Sequence, residues 1–285
     1  MTASDARMEI PLEDLASLSN IERRALLFAR WLNASPIQRV SHWLNTRIHR
    51  RWVQLFTGRR VHLVGMDKMA AMRPDRGVLL ASNHRSFFDQ IVIATYLYKH
   101  VDTWPRFYFP VRSEFFYDSP LGFFLNVALT SCTMFPPIFR PRDKRGVTRA
   151  GLNFLAQELQ SPATLCGIHP EGTRGKGPDP YELLPAEPGF GRVVLQARPI
   201  VVPVFIGGLS NDIAREVRQN FGARDPVIIL FGDPVDLSDF DDEDPRLLRN
   251  QVKVGRRVLQ DVAQLAEQEK QVRQELQSES AAPPD

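Results

Sequence analysis

His84 and Asp89 are separated by four residues, Arg85-Ser86-Phe87-Phe88. An imidazole held by a carboxylate is a pairing that makes a general base near neutral pH, because the carboxylate fixes the tautomer and stabilises the imidazolium once a proton is taken. Five positions along one continuous helix turn through about 500°, which would drive the two side chains apart. The pair can form if His84 lies in a loop ahead of a helix and Asp89 lies in that helix's first turn. A second reading stands beside it. Ser86-Phe87-Phe88-Asp89 fits a capping box, with Asp89 serving the helix terminus and His84 an ordinary loop histidine. These residues alone leave both readings open.

A second stretch, His169-Pro170-Glu171-Gly172-Thr173-Arg174-Gly175-Lys176-Gly177, combines glycines, a hydroxyl and two cations. Its backbone N–H groups with Thr173, Arg174 and Lys176 could bind a phosphate; the same composition also suits a solvated glycine-rich turn. Arg140 closes the apolar run Met134–Phe139 and either points into a site or marks the return to solvent. Other chemistries find no support. Lys176 precedes Gly177 and lacks the leading glycine of a P-loop, Gly189 and Gly191 do not complete a dinucleotide fingerprint, and no G-x-S-x-G elbow is present. No His/Cys/carboxylate spacing calls for a metal.

The elements that must position these residues are legible in the periodicity. Apolar runs predict strands at Val61–Val64, Val78–Ser82, Phe107–Val111, Met134–Phe139, Thr164–Ile168, Ile200–Phe205 and Val227–Phe231. Helical spacing predicts Ser86–Lys99, Leu121–Cys132, Arg145–Gln160, Gly189–Ala197 and Asn211–Asn220. Alternation of this kind implies an α/β fold, a mostly parallel central sheet flanked by helices, whose functional residues gather beyond the strand ends. Ahead of it, Ser19-Asn20-Ile21-Glu22 is a capping box opening a helix to about Asn33, and Ser35-Pro36-Ile37-Gln38 opens a second. The second carries a stripe of Ile37, Val40, Leu44, Ile48, Trp52 and Leu55 flanked by Arg39, Arg47, Arg50 and Arg51. Such a stripe suits a lipid interface, or it packs on the protein's own core. Residues 1 to about 18 read as a loose lead-in, Asp244-Pro245 opens a final helix, and the chain beyond about Lys270 reads as frayed. The organisation expected is therefore 1–58 as membrane-associating helices forming an N-terminal amphipathic pair, 59–240 as the α/β domain, and 241–285 as the C-terminal helix and tail.

The 285 residues carry a net charge of only +3, yet nine arginines and a single acid lie between Asn20 and Arg60. A basic end on a near-neutral protein points to an anionic partner surface. Cys132 and Cys166 show no disulfide framework, in keeping with a reducing compartment. No signal peptide is read in the first residues. The uncharged run Ser119–Phe139 is broken by three prolines and by polar residues, so it reads as a buried or partly embedded helix followed by a strand rather than a membrane span.

Together the motifs resemble those of the glycerolipid acyltransferases, best known for acylating lysophosphatidic acid. Asn83-His84-Arg85-Ser86-Phe87-Phe88-Asp89 matches the first block, Phe139-Arg140 looks like the second, Pro170-Glu171-Gly172-Thr173-Arg174 matches the third, and Ile200-Val201-Val202-Pro203-Val204 matches the fourth. The resemblance covers roughly Val61 to Asp236. His169 stands where an aromatic such as Phe is usual, Gly175 replaces a common serine, and the second block lacks its usual glycine.

What the resemblance implies is acyl transfer from a thioester, on coenzyme A or acyl carrier protein, to a hydroxyl of a lysophospholipid. 1-Acylglycerol 3-phosphate giving phosphatidate is the leading case, and no cofactor is needed beyond the thioester co-substrate. His84 would be the base and Asp89 its holder. Arg174, Gly172 and Thr173 would hold the acceptor phosphate with help from Arg140, and Glu171 would orient Arg174 or a substrate hydroxyl. The expected partners are a membrane lipid substrate and an anionic phospholipid surface, at the cytoplasmic face of a membrane. Three alternatives stay open: the same chemistry on glycerol 3-phosphate or another acceptor, a catalytically silent lipid-binding protein, and nucleic-acid binding. The last lacks any recognised module, so no nucleic-acid partner is expected.

Overall fold

The computed structural model describes residues 8–34, 37–222 and 225–281. The N-terminal part runs α1 (Leu12–Ala16), α2 (Asn20–Leu32), α3 (Ile37–Leu44), a π-helical turn (Asn45–His49) and α4 (Arg50–Thr57). There follow β1 (Val61–Val64), α5 (Met66–Ala71), β2 (Val78–Ser82), α6 (Asp89–His100), β3 (Arg106–Tyr108), β4 (Val111–Arg112), α7 (Ser113–Phe116) and α8 (Pro120–Thr130). The rest is β5 (Pro137–Ile138), α9 (Arg145–Glu158), β6 (Thr164–Ile168), α10 (Pro188–Ala197), β7 (Ile200–Gly207), α11 (Ile213–Phe221), β8 (Val227–Phe231) and α12 (Leu248–Ala281).

Among the described residues the central sheet has the order β1-β8-β7-β2-β6-β3. β3, β6, β2 and β7 are mutually parallel; β8 runs antiparallel to β7 and parallel to β1. The mostly parallel α/β architecture expected from the alternation is the one found. Its inner strands are buried and mostly apolar because both faces are covered. In β2, Leu79 and Ala81 enter a core shared with α2, α9, α10 and α12, whereas Val78 and Leu80 enter one shared with α4 and α6.

Several elements depart from the periodicity for identifiable reasons. Pro110 has no N–H to give a ladder, so the run Phe107–Val111 is split between β3 and β4. Pro136 and Pro137 likewise reduce Met134–Phe139 to the two residues of β5, which pair with β4. α6 begins at Asp89 rather than Ser86, because the residues before it are held as a loop. The lead-in is partly structured: Met8 is buried and α1 is helical. The capping box at Ser19 and Glu22 forms as expected, Glu22 N–H donating to Ser19 Oγ at 3.3 Å and Ser19 N–H to Glu22 Oε2 at 2.8 Å. In the box expected at Ser35, Ser35 and Pro36 lie outside the described residues. α12 runs past Lys270, with Arg273 pairing Glu269 and donating to the Pro226 carbonyl at 3.0 Å. Of the tail expected to fray, residues 282–285 lie outside the described residues.

Helix α3 is inside-out, whereas α2 buries Ala25, Leu26 and Ala29 and α4 buries Val53 and Phe56. Of the α3–α4 stripe, Val40 is 59% exposed, Ile48 47% and Leu55 57%, while the buried positions of α3 are Gln38 and Ser41. Ser41 Oγ donates to the Ser131 carbonyl at 2.5 Å and Asn45 Nδ2 to that of Thr130 at 2.7 Å. α8 follows the same rule, burying Gly122, Asn126 and Thr130 and exposing Leu121 and Phe124. α2 adds exposed Leu27, Phe28 and Trp31, and Phe28 meets Phe123 edge-on across the two helices. No helix among the described residues is long and apolar enough to cross a membrane.

One buried ion pair connects this frame to the loops above the sheet. Arg60, just before β1, pairs with Glu216 of α11, and both are almost fully buried. Glu216 Oε1 also accepts from the backbone N–H and the hydroxyl of Ser210, at 3.0 and 2.7 Å. Glu216→Ala leaves a buried guanidinium unpaired and frees the loop after β7. We expect a loss of about 3–5 kcal/mol in urea unfolding; a loss under about 1 kcal/mol would contradict this role.

Candidate active site

β2, β6 and β7 end side by side, and the loops leaving them meet. Asn83 continues β2 by pairing with β7 through its side chain, donating from Nδ2 to the Ile206 carbonyl at 2.9 Å and accepting at Oδ1 from Ile206 N–H at 2.8 Å. The next residue, His84, turns out of the sheet. Its Nδ1 lies 3.1 Å from Asp89 Oδ2. The same oxygen accepts the backbone N–H groups of Arg85 and Ser86, each at 2.8 Å.

Both sequence readings of Asp89 are therefore met in part. The carboxylate takes the Ser86 N–H as a capping-box acid would. The return bond is absent, because Ser86 Oγ accepts from Phe88 N–H at 3.2 Å and donates to the Ser210 carbonyl at 2.9 Å. The released geometry brings His84 back over the first turn of α6.

Burial pushes the Asp89 carboxyl up to about 6, opposed by its bonds to Ser86 and Arg85. Burial, reinforced by the charges of Arg174 and Arg112, lowers the His84 imidazole to about 3. At neutral pH the pair is thus a carboxylate beside a neutral imidazole. An ionised Asp89 only accepts, so Nδ1 carries the proton and Nε2 the free lone pair. His84 keeps 19% of its side chain exposed, against 2% for Asp89.

The loop after β6 closes over this pair. His84 N–H donates to Glu171 Oε1 at 2.8 Å, and Leu184 N–H to Glu171 Oε2 at 2.7 Å. Glu171 is buried, and both its oxygens serve backbone amides, of which one belongs to His84 itself. It braces the base from below rather than meeting Arg174. Gly175 N–H donates to the His84 carbonyl at 2.8 Å. Gly172 holds φ at +59°, a left-handed conformation that a side chain disfavours. His169 stacks on His84, ring centroids 3.7 Å apart and planes within 6°.

The rim is cationic. Exposed Arg174 donates from Nη1 to Asn211 Oδ1 at 3.1 Å, and Asn211 Oδ1 also takes Phe87 N–H at 2.7 Å. Arg112 donates from Nη2 to the Gly172 carbonyl at 2.8 Å. Burial lowers the Arg112 pKa first, and the charges of Arg140 and Arg174 add to it. Of the predicted residues, Gly172, Thr173 and Arg174 lie in the loop after β6, the Arg174 charge reaches His84, and Arg140 lies near enough to Arg112 for its charge to act there. Arg112 and Asn211 escaped the sequence reading. Arg112 had the same signal as Arg140, a cation leaving an apolar run, whereas Asn211 looked like part of a helix.

His84, Asp89 and His169 lie close enough together to raise the question of a metal centre. A shared ion needs imidazole lone pairs converging at about 2.0–2.1 Å. Two parallel rings direct theirs side by side, and Asp89 Oδ2 already accepts three donors. The arrangement fits a base and its holder instead.

With His84 acting as a base, a deprotonated Asp89 would hold it in the tautomer that leaves Nε2 free. Because burial raises this carboxyl to about 6, activity is expected to be full above that pH and to fall as pH drops through about 6. A pH profile of kcat/KM that stays flat to pH 4 would contradict this assignment.

The family described as Acyltransferase matches residues 60–207, which span β1 to β7 and include every site residue above except Ser210 and Asn211. No curated protein matches the chain.

Proposed function

The chain belongs to the acyltransferase family, that of the 1-acyl-sn-glycerol-3-phosphate acyltransferases and related glycerolipid acyltransferases, and from that premise we propose that it acylates a lysophospholipid, 1-acylglycerol 3-phosphate above all, to give phosphatidate. The observation that carries this reading is a neutral, carboxylate-held histidine beside a rim of three arginines. The donor is a fatty acyl thioester of coenzyme A or acyl carrier protein.

In the proposed step His84 Nε2 takes the proton of the acceptor hydroxyl while that oxygen attacks the thioester carbonyl. The new C–O ester bond forms as the C–S bond breaks, and the departing thiolate receives the proton from the imidazolium. No enzyme-bound acyl intermediate is needed. Base assistance accounts for about 10²–10⁴-fold in rate, and positioning supplies much of the rest. Arg174, Arg112 and Arg140 would grip the acceptor phosphate through paired N–H donors. A phosphate placed there offsets the charges that lower His84, so the base strengthens when the acceptor is bound.

The lipid partner is supported by the apolar side chains that the N-terminal helices and α8 expose. Trp31, Val40, Trp43, Ile48, Leu121 and Phe124 are all exposed, and Arg39 and Arg47 flank them. This face suits an interface with an anionic bilayer, apolar side chains inserted and arginines at the headgroups. It would bring the site to its lipid at the cytoplasmic face of a membrane.

A panel of acceptors offered with one labelled acyl thioester tests the function. Lysophosphatidate is expected to be the best acceptor, and His84→Ala to lose about 10²–10⁴-fold in turnover while folding normally. Arg174→Ala is expected to raise the acceptor KM by about 10–100-fold, the cost of a lost bond to a charged group, with a smaller effect on kcat. Equal use of acceptors without a phosphate, or an unchanged KM, would count against the clamp. In flotation with phosphatidylglycerol vesicles the wild type should rise with the lipid and a Trp31→Ser, Trp43→Ser double variant should not; equal flotation of the two would remove the helices from the membrane role.

A further inference from the structure

Proton transfer as proposed needs only His84 and Asp89, yet a second imidazole lies flat against the base. His169 is tethered from behind. Its Nδ1 is 3.0 Å from Ser82 Oγ and 3.1 Å from the Ser82 carbonyl oxygen, and Ser82 Oγ accepts from Gln90 Nε2 at 3.0 Å. The tether joins the ends of β2 and β6 to the first turn of α6, all parts of the rigid frame. Gly167 in β6 makes room for it, since a Cβ there would overlap the Gln90 side chain. A phenyl ring in this position would offer a face but no tether.

His84 is fixed through one ring nitrogen, and a single hydrogen bond leaves its plane free to roll. A flat partner at 3.7 Å removes that freedom. We propose that His169 is a positioning residue for the base: its neutral ring, locked through Ser82, sets the plane of His84 so that Nε2 faces the acceptor hydroxyl, and it lies under the imidazolium formed as the proton moves. This rests on the reading of His84 as the base. The charged and titratable groups around the stack are His84 from the loop after β2, Asp89 from the first turn of α6, Glu171 and Arg174 from the loop after β6, and Arg112 from β4. Burial, with His84 close beside it, lowers His169 to about 3, so the ring is neutral across the working range. A neutral π face attracts a cation stacked on it, whereas a second imidazolium would repel it.

The test compares His169→Leu, which fills the space without a flat face, with His169→Phe, which keeps the face and loses the tether. His169→Leu is expected to lower kcat by about 10–100-fold, the range for a misplaced reacting group, with KM for lysophosphatidate and for the thioester within about 3-fold. His169→Phe is expected to regain most of that loss. The ring N–H resonance of His84 gives a readout without turnover: with only six histidines in the chain, ¹⁵N-histidine labelling and His84→Ala identify it. It should be sharp in the wild type and in His169→Phe and broadened by solvent exchange in His169→Leu. Wild-type kcat with a sharp resonance in His169→Leu overturns the proposal. So does a folded His169→Phe as impaired as His169→Leu, and this arm decides if His169→Leu does not fold. Full turnover in His84→Ala would overturn the base as well; an inactive His84→Ala with an unimpaired His169→Leu would overturn the role of His169 alone.

Discussion

One oxygen organises this site. Asp89 Oδ2 accepts the His84 ring and the amides of Arg85 and Ser86, and it is buried at the point where β2 gives way to α6. Without it the buried Ser86 N–H and the part-buried Arg85 N–H would lose their partner, and a buried loss of this kind is worth about 1–3 kcal/mol. The loop shape and the base are therefore one arrangement. The neighbouring ties follow from it: Asn83 to β7, Ser86 to the loop after β7, and Glu171 to the amide of His84. Three strand ends are clasped around one imidazole, which is the preorganisation that a base needs if it is to spend no energy on orientation.

The same frame explains how polar groups and apolar groups exchange their usual places at the N-terminus. Asn45, Ser41 and Asn33 donate to the carbonyls of Thr130, Ser131 and Cys132, around the left-handed residues Ser131 and Cys132, and Thr130 Oγ1 donates to the Asn126 carbonyl. Their helices consequently turn tryptophan, phenylalanine and leucine outward. The proposed lipid interface rests on that pattern, with apolar side chains toward the bilayer and arginines toward its phosphates.

Much of this was legible in the residues. The strands β1, β2, β6 and β8 have the limits their apolar runs prescribe: β2, β6 and β8 are buried along their length, and β1 alternates half-buried and exposed residues. The spacing of His84 and Asp89 carried the pair, provided that the helix began late. The rest depended on tertiary neighbours. Pro110, Pro136 and Pro137 shortened two strands by withholding amide protons, which the apolar pattern alone does not report. Glu171 looked like a ligand to substrate or to Arg174, yet its oxygens are occupied by Leu184 and His84 amides, a pairing across the fold. Arg112 and Asn211 join the rim only because β4 and the loop after β7 converge on it, and no local periodicity records such convergence. The unusual His169 was visible as a departure, but its stacking on His84 required the two strand ends to be side by side.

The central claim is that Asp89 holds a neutral His84 as the base for acyl transfer. Single-turnover transfer from a labelled acyl thioester to lysophosphatidate by Asp89→Asn tests it most directly, since the amide keeps the size of the side chain and removes its charge. The account predicts a loss of roughly 10⁴-fold in the chemical step, comparable with the loss of the carboxylate in a serine-hydrolase triad, with both substrates still bound. Transfer at the wild-type rate by a folded Asp89→Asn would contradict it.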